Sequence, residues 1–357
     1  MTQIILGYGS TGKSFEKYLK KNAQKYLIYD HLEKKSQLKK SELNKFDTFY
    51  VSPGIRLEDL FSKTDLQKKT FVTDLDIFFK KNSSYKIGIT GTNGKSTFAH
   101  YLFQYLSSST KVSLVGNIGK PMLECINSTA RFTIIELSSF QLHKMKKNFL
   151  DLSVVTNIQS DHLDYHGNQK NYVDAKLRIC IDGKKTFFLD PSKGLKIQAK
   201  RIAEYILPAK NIDTIKLTPL QHRLERVNKN VLNDSKSTNS HSLLYALKKT
   251  KFKGDLIICG SPHKENLSQI KIVGPKRVWI FGKHRFELEN LVEHRELHIE
   301  ENLLLVLKKI FKIDLNSKIL FSPGNPSGND FNNFEERGDY FKKIVLEVLN
   351  EQKGKSV

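Results

Sequence analysis

The chain alternates short apolar runs with longer mixed stretches, and glycine recurs at the joints. Ile4-Ile5-Leu6, Thr48 to Val51, Ile87 to Thr90, Val112 to Val115, Phe132 to Leu137 and Val154 to Ile158 are rich in β-branched and aromatic residues and read as buried strands. Between them, Ser14 to Lys21, Phe98 to Leu106 and Tyr172 to Ile179 carry apolar residues at helical spacing. A less regular stretch, Thr186 to Pro208, holds one more strand and a basic helix. After about residue 217 the alternation restarts, with strands at Val231, Asp255 to Cys259, Val278 to Phe281 and Ile319 to Phe321. Helices are expected at Ser240 to Lys248, from Arg285, at Glu300 to Phe311 and at Tyr340 to Leu349. Strand–helix alternation of this kind predicts an α/β protein with mostly parallel, doubly wound sheets.

The polar stretch Lys80 to Ser84 has no periodicity and marks a boundary. With the restart near 217, it divides the 357 residues into three expected domains, 1–83, 84–217 and 218–357. The outer two read as Rossmann-like and the middle one as a phosphate-loop domain.

Composition narrows the classes. Lysine and arginine total 59 against 37 acidic residues, a formal net charge of +22. The lysines are scattered in pairs such as Lys20-Lys21 and Lys248-Lys249, with no long basic run, so a solvated basic surface fits better than a specific nucleic-acid partner. Cys125, Cys180 and Cys259 are far apart, which argues against a disulfide framework or a zinc knuckle. Residues 1–20 show no leader-type apolar stretch and no run approaches membrane-spanning length, so a cytoplasmic protein without membrane insertion is expected.

The chemistry sits at the joints. Ile87 to Thr97 reads strand, glycine turn, helix start, with Gly91, Thr92, Asn93, Gly94, Lys95, Ser96 and Thr97 as the turn. Glycines let backbone N–H groups approach an anion, the helix start adds its dipole, the lysine reaches outer phosphates and a hydroxyl suits Mg²⁺. The full phosphate-loop pattern wants glycine where Ile89 stands, so the match is to the shorter G-x-x-G-K-[ST]. The alternative is a glycine turn that merely joins strand to helix. Gly7-Tyr8-Gly9-Ser10-Thr11-Gly12 follows the first strand, and Asp30 lies eighteen positions beyond Gly12. That pattern is shared by dinucleotide-binding oxidoreductases and other nucleotide-diphosphate sites. Glu136 ends a buried strand, where a bare carboxylate is costly and a metal ion would explain it. Ser160-Asp161-His162-Leu163-Asp164 offers further oxygen and imidazole donors, or is a polar surface turn.

Together these residues resemble the Mur ligase family, and within it the D-glutamate-adding branch. The resemblance is carried by Gly7 to Gly12, Ser52-Pro53-Gly54-Ile55, Thr90 to Thr97, Gly116 to Gly119, Glu136 to Leu142, the block from Asn157 to Asp164, Ala175 to Arg178, His222 to Glu225, Asn233 to Asn239 and the stretch from Ser327 to Asp339. It implies a UDP-substrate domain, an ATPase domain and an amino-acid domain. It further implies a ligase that phosphorylates the carboxylate of UDP-N-acetylmuramoyl-L-alanine with ATP and joins it to D-glutamate, acting as a monomer in peptidoglycan precursor synthesis.

By that resemblance Lys95 holds phosphates, Ser96 and Glu136 serve one Mg²⁺, and His162 serves a second. Lys176 matches the family's carbamylated lysine; adding CO₂ turns a repelled ammonium into an anion able to help hold metal. Asn117, Ser138 and Gln141 line the muramyl substrate, while Ser10, Thr11, Gly12, Asp30 and Gly54 face its UDP end. Arg223 and Asp234 match nucleotide contacts, and Thr238, Lys264, Ser327 and Phe334 match the D-glutamate pocket. The chain departs from the family in three places. The segment after Lys176 is short and lacks the His-Asn-x-x-Asn helix that supplies an adenine-side asparagine. The loop Gly260 to Lys264 differs, and Pro326 and Gly328 flank Ser327. The remaining readings are a related ligase adding another amino acid, a folylpolyglutamate-type ligase, a basic ATP-binding nucleic-acid protein and, last, a nicotinamide dehydrogenase.

Overall fold

The structure is a computed structural model and describes residues 2–30, 36–181, 183–208, 214–262, 270–328 and 330–354. The chain forms two compact units, Met1–Leu217 and Thr218–Val357.

The first unit opens with β1 (Gln3–Leu6), α1 (Ser10–Lys21), β2 (Tyr26–Tyr29), β3 (Thr48–Val51), α2 (Lys63–Lys68), β4 (Thr70–Val72) and α3 (Asp74–Lys81). The strands make a parallel sheet in the order β2-β1-β3-β4. Its strands are apolar on both faces because helices and loops cover both. Helix α1 starts at Ser10, four residues before the expected Ser14, so Ser10-Thr11-Gly12 is helix and not turn. Gly12 makes this possible: it packs on the Gly7 carbonyl, where a Cβ would not fit.

The second sheet follows: β5 (Tyr85–Thr90), α4 (Lys95–Ser107), β6 (Val112–Gly116), β7 (Phe132–Glu136), α5 (Ser139–Lys144), β8 (Leu152–Val155), α6 (Leu163–His166), α7 (Gln169–Leu177), β9 (Lys185–Phe188) and α8 (Leu195–Ile206). All pairings are parallel, in the order β6-β7-β5-β8-β9. Ile87 and Ile89 of β5, in the middle, pack against Phe98 and Leu102 of α4. Helix α3 belongs to both sheets: Ile77 joins the core under the first, while Leu75, Phe78 and Phe79 join the core under the second. The two sheets of this unit therefore share one helix between their cores.

The second unit contains β10 (Glu225–Arg226), β11 (Val231–Asn233), α9 (Ser240–Thr250), β12 (Asp255–Cys259), β13 (Ile270–Lys271), β14 (Arg277–Phe281), α10 (Arg285–Leu291), β15 (Val292–Glu293), β16 (Leu297–Glu300), α11 (Leu303–Ile313), β17 (Ile319–Phe321) and α12 (Phe334–Gly354). Its sheet runs β10-β11-β17-β12-β14-β16, parallel except for the β10–β11 pair. Strand β16 takes Leu297–Glu300, so α11 starts only at Leu303, where the Asn302 side chain caps it by accepting from the Leu305 amide at 3.1 Å. Helix α12 begins six residues before the expected Tyr340. Asn333 accepts from the Glu336 amide at 2.7 Å, and Glu335 and Glu336 suit the positive end of the helix.

Candidate functional site

The turn between β5 and α4 is braced from the side. The Thr92 amide donates to the Asn157 carbonyl at 2.8 Å and the Asn93 amide to the Asn157 side chain at 3.0 Å. Thr156 and the Asn157 side-chain amide donate to the Asn93 carbonyl at 2.7 and 2.8 Å. These braces come from residues whose run was expected to stay in strand; β8 ends at Val155 and frees them. Gly91 has φ of +144°, and a Cβ there would collide with the Thr156 hydroxyl. With the Thr92 and Asn93 amides taken up in this bracing, the fixed loop holds the start of α4 in place, and a helix start is where an anion is favoured.

Two amines fold onto this loop. Lys95 donates to the carbonyls of Gly91 and Thr92 at 2.8 and 2.9 Å. Lys176, on α7 and only 2% exposed, donates to the same Gly91 carbonyl at 2.7 Å. Burial pushes the Lys176 amine well below the ordinary lysine range, and the Lys95 charge adds to this; Asp161 and Glu136 oppose it. Its ring neighbour Tyr172 meets the Thr92 hydroxyl at 2.9 Å. Ser96 is buried and Thr97 half-buried in the first turn of α4.

Glu136 ends β7 beside β5, and it is 1% exposed. One carboxylate oxygen accepts from the Asn117 side chain at 3.2 Å; the other, Oε2, is buried with no hydrogen-bond partner. Ser138 and Gln141, expected at the substrate, form the reciprocal cap of α5: the Gln141 amide donates to Ser138 Oγ at 3.2 Å, and the Ser138 amide to Gln141 Oε1 at 2.9 Å. His162 stands at the start of α6 with a left-handed backbone (φ 52°), its ring edge-on to Phe140 and 3.6 Å from the Asp161 carboxylate. Lys95, Glu136 and the His162 loop thus all lie at the C-terminal ends of the neighbouring strands β5, β7 and β8, where open α/β sheets bind ligands.

A magnesium ion fits this chemistry. The orphaned Glu136 oxygen is a hard anionic donor and Ser96 adds a hydroxyl. Among the described residues no three His, Cys, Asp or Glu side chains gather into a metal cage. Mg²⁺ commonly takes one or two carboxylates and completes its shell with phosphate oxygens and water.

At the C-terminal edge of the first sheet, Ser10 and Thr11 open α1 and Asp30 follows β2. The Asp30 carboxylate accepts the Tyr8 amide at 2.5 Å, which fixes the glycine turn. Gly54 is exposed in the loop after β3. That loop is tied to the glycine turn by Ser52, whose hydroxyl donates to the Gly7 carbonyl at 2.8 Å.

In the second unit, Arg223 pairs with the buried Asp234 at 3.5 Å, and Ser322 donates to the same carboxylate at 2.9 Å. Burial raises the Asp234 carboxyl above its usual range, with Arg223 pulling the other way. Thr238 is half-buried and Ser327 buried near the C-terminal ends of β11 and β17. Phe334 opens α12, with the Lys236 amine 3.8 Å from its ring centroid. Lys264 lies outside the described residues. Sequence reasoning missed Lys236 and Arg337. Arg337 is fully buried and donates to the Ser235 carbonyl at 2.7 Å, the Asn325 carbonyl at 3.0 Å and the Ser235 hydroxyl at 3.1 Å.

Comparison with known proteins adds to this geometry. Residues 89–203 match the Mur ligase middle domain. The UDP-N-acetylmuramoylalanine–D-glutamate ligase of Buchnera aphidicola subsp. Schizaphis graminum is 30% identical over 97% of this chain and 98% of its own length. That of Thermosipho melanesiensis is 26% identical over 98% of each. The first alignment spans 432 positions against 357 residues here, so that relative carries segments this chain lacks. Among solved structures, a MurF ligase from Thermotoga maritima in complex with ADP is similar with a TM-score of 0.60 at 14% identity, covering 99% of this chain and 95% of that one. A UDP-N-acetylmuramate–alanine ligase from the same organism reaches 0.58 at 14% identity, over 99% and 100%. Both likenesses speak for the fold.

Proposed function

The chain belongs to the Mur ligase family, and from that premise we propose how it joins D-glutamate to UDP-N-acetylmuramoyl-L-alanine with ATP, releasing ADP and phosphate. A carboxylate does not react with an amine until one of its oxygens becomes a leaving group. The alanyl carboxylate oxygen attacks the γ-phosphorus, the bond to the β–γ bridging oxygen breaks, and ADP leaves an acyl phosphate. The D-glutamate amine then attacks the acyl carbon. The carbon–oxygen bond breaks, phosphate departs, and the nitrogen gives up its proton as the amide forms.

Little covalent chemistry falls to the protein, so its contribution is placement and charge. The braced loop from Gly91 to Thr97, with the start of α4, and the Lys95 amine hold the phosphates. Ser96 and Glu136 are the proposed ligands of one Mg²⁺, and His162 with Lys176 those of a second. When bound, the metal offsets the repulsion between carboxylate and γ-phosphate. Lys176, kept neutral by burial, adds CO₂ to form a carbamate and releases a proton. Asn117 faces the muramyl group. Ser138 and Gln141 shape its site by fixing the start of α5. Ser10 to Gly12, Asp30 and Gly54 face the UDP end. Arg223 and Asp234 are the proposed nucleotide contacts of the second unit, and Thr238, Lys264, Ser327 and Phe334 its D-glutamate contacts. The three working domains are then 1–83 for the UDP-linked substrate, 84–217 for ATP and 218–357 for the amino acid. The proposed setting is the bacterial cytoplasm, and the proposed working species is a monomer. No helix among the described residues is long and apolar enough to cross a membrane.

The observation that carries the reading is the meeting of the Lys95 and Lys176 amines on one Gly91 carbonyl, at 2.8 and 2.7 Å, in the phosphate turn beside the buried, unpartnered Glu136 oxygen. The test is ADP release with UDP-N-acetylmuramoyl-L-alanine and each candidate amino acid. Release that requires D-glutamate upholds the reading. Release supported equally by L-alanine or L-glutamate assigns a different member of the family.

A further inference from the structure

We propose that Lys144 is a positioning residue for the UDP-linked substrate, tying the Ser52-Pro53-Gly54 loop of the first sheet to helices α5 and α6, which follow Glu136 and His162 in the chain. Lys144 is the last residue of α5. Its amine donates to the Pro53 carbonyl at 2.7 Å and also meets the Tyr165 hydroxyl, standing 5.0 Å from the Tyr165 ring centroid. The three segments joined at this point are the loop after β3, helix α5 and helix α6.

Packing beside Lys144 is open, while Ile55 and Leu57 of the loop reach the core of the first sheet. A cavity of about 230 Å³ lies beside Lys144, lined by Val51, Leu57 and Phe71 from the first sheet and by His143 and Lys146 from the second. The neighbouring tie, from Lys146 to the Phe71 carbonyl, grips the far strand β4 and not the loop. A shift of Pro53 would not stay local. Ser52 is bonded through its amide to the Leu6 carbonyl at 2.9 Å and through its hydroxyl to the Gly7 carbonyl at 2.8 Å, so the movement passes to the glycine turn. At its other end α5 starts with the Ser138–Gln141 cap, two residues after Glu136, and Tyr165 lies three residues after His162. This side chain thus links the glycine turn to the segments that carry Glu136 and His162.

The amine is an expensive choice for a mere filler. Burial pushes it down to about 8 from the ordinary lysine value, with Glu58 opposing. A methionine of similar length would fill the space without that penalty. What the amine adds is a directed bond to a particular carbonyl.

This inference rests on the proposed function, because the loop is taken to face the UDP-linked substrate. The experiment uses full-length Lys144→Met, Lys144→Arg and Tyr165→Phe, with steady-state ADP release and amide hydrogen exchange. A lost positioning contact should raise KM for UDP-N-acetylmuramoyl-L-alanine about tenfold in Lys144→Met. The values of KM for ATP and D-glutamate should stay within about twofold. Lys144→Arg should recover most of the affinity, and Tyr165→Phe should show a smaller rise of the same kind. Exchange should quicken across 52–57 while 91–97 stays as in the parent. An unchanged KM for the UDP-linked substrate, or an equal rise in KM for ATP, overturns the proposal. If the parent chain releases no ADP with any amino acid, the assigned function fails. Exchange alone then judges the tie: faster exchange across 52–57 keeps it and unchanged exchange removes it.

Discussion

The amines of Lys95 and Lys176 share one acceptor, the Gly91 carbonyl, at 2.8 and 2.7 Å. Two ammonium groups on one oxygen repel, and the buried one yields its proton first. The proposed duties divide along that line: Lys95 for phosphate, and Lys176, whose burial favours the neutral amine, for the uptake of CO₂. Lys95→Met should lower kcat by about a hundredfold or more. In buffer stripped of CO₂ the parent enzyme should slow and recover with bicarbonate, whereas Lys176→Arg should be inactive and indifferent to bicarbonate. Measuring ADP release in both buffers checks the difference.

Glu136 should show function set against stability. Its Oε2 is buried without a partner, so the folded chain bears an uncompensated carboxylate oxygen. Glu136→Gln keeps the shape and removes the charge. It should unfold at the same temperature as the parent or a few degrees higher, while ligase activity falls by about a hundredfold. A melting curve paired with the ADP assay reads both.

Asp74 gives a pH signature. It lies at the start of α3, the helix shared by both sheets of the first unit. Burial raises its carboxyl to about 7, above the unfolded value. The folded chain therefore holds this proton where the unfolded chain has lost it. The resulting stability is fully present below the unfolded pKa and fades as pH rises toward 7. Asp74→Asn should gain up to about 4 kcal/mol at pH 8 relative to the parent, and the gain should largely disappear near pH 4. Urea unfolding at the two pH values measures it.

Arg337 should matter out of proportion to its distance along the sequence from the loops it holds. Removing its guanidinium strands the buried carbonyls of Ser235 and Asn325. Arg337→Met should destabilise the second unit by about 2–4 kcal/mol. It should raise KM for D-glutamate more than KM for ATP, because Asn325 lies two residues from Ser327.

Much of this was legible in the residues. The alternation of apolar runs and helices gave the sheets, and the glycine turn from Gly91 stands at the end of β5, although α4 starts at Lys95 and not at the expected Phe98. What was hidden is tertiary. Nothing local says that Ser10 belongs to a helix, since the reason is the packing of Gly12 on the Gly7 carbonyl. Strand β4 is only three residues long, too short for a periodic signal. Lys144 and Arg337 look like two more basic residues among 59, and only the fold reveals which carbonyls they reach. Ser138 and Gln141 carried a second message, the S-x-x-Q cap of α5, alongside the family likeness.

The central claim is that the substrate's own carboxylate oxygen becomes the bridging oxygen of an acyl phosphate before the amide forms. UDP-N-acetylmuramoyl-L-alanine labelled with ¹⁸O in its terminal carboxylate, turned over with ATP and D-glutamate, tests it by mass analysis of the released phosphate. The account predicts one labelled oxygen in each phosphate. Phosphate without label, formed while the amide accumulates, would contradict it.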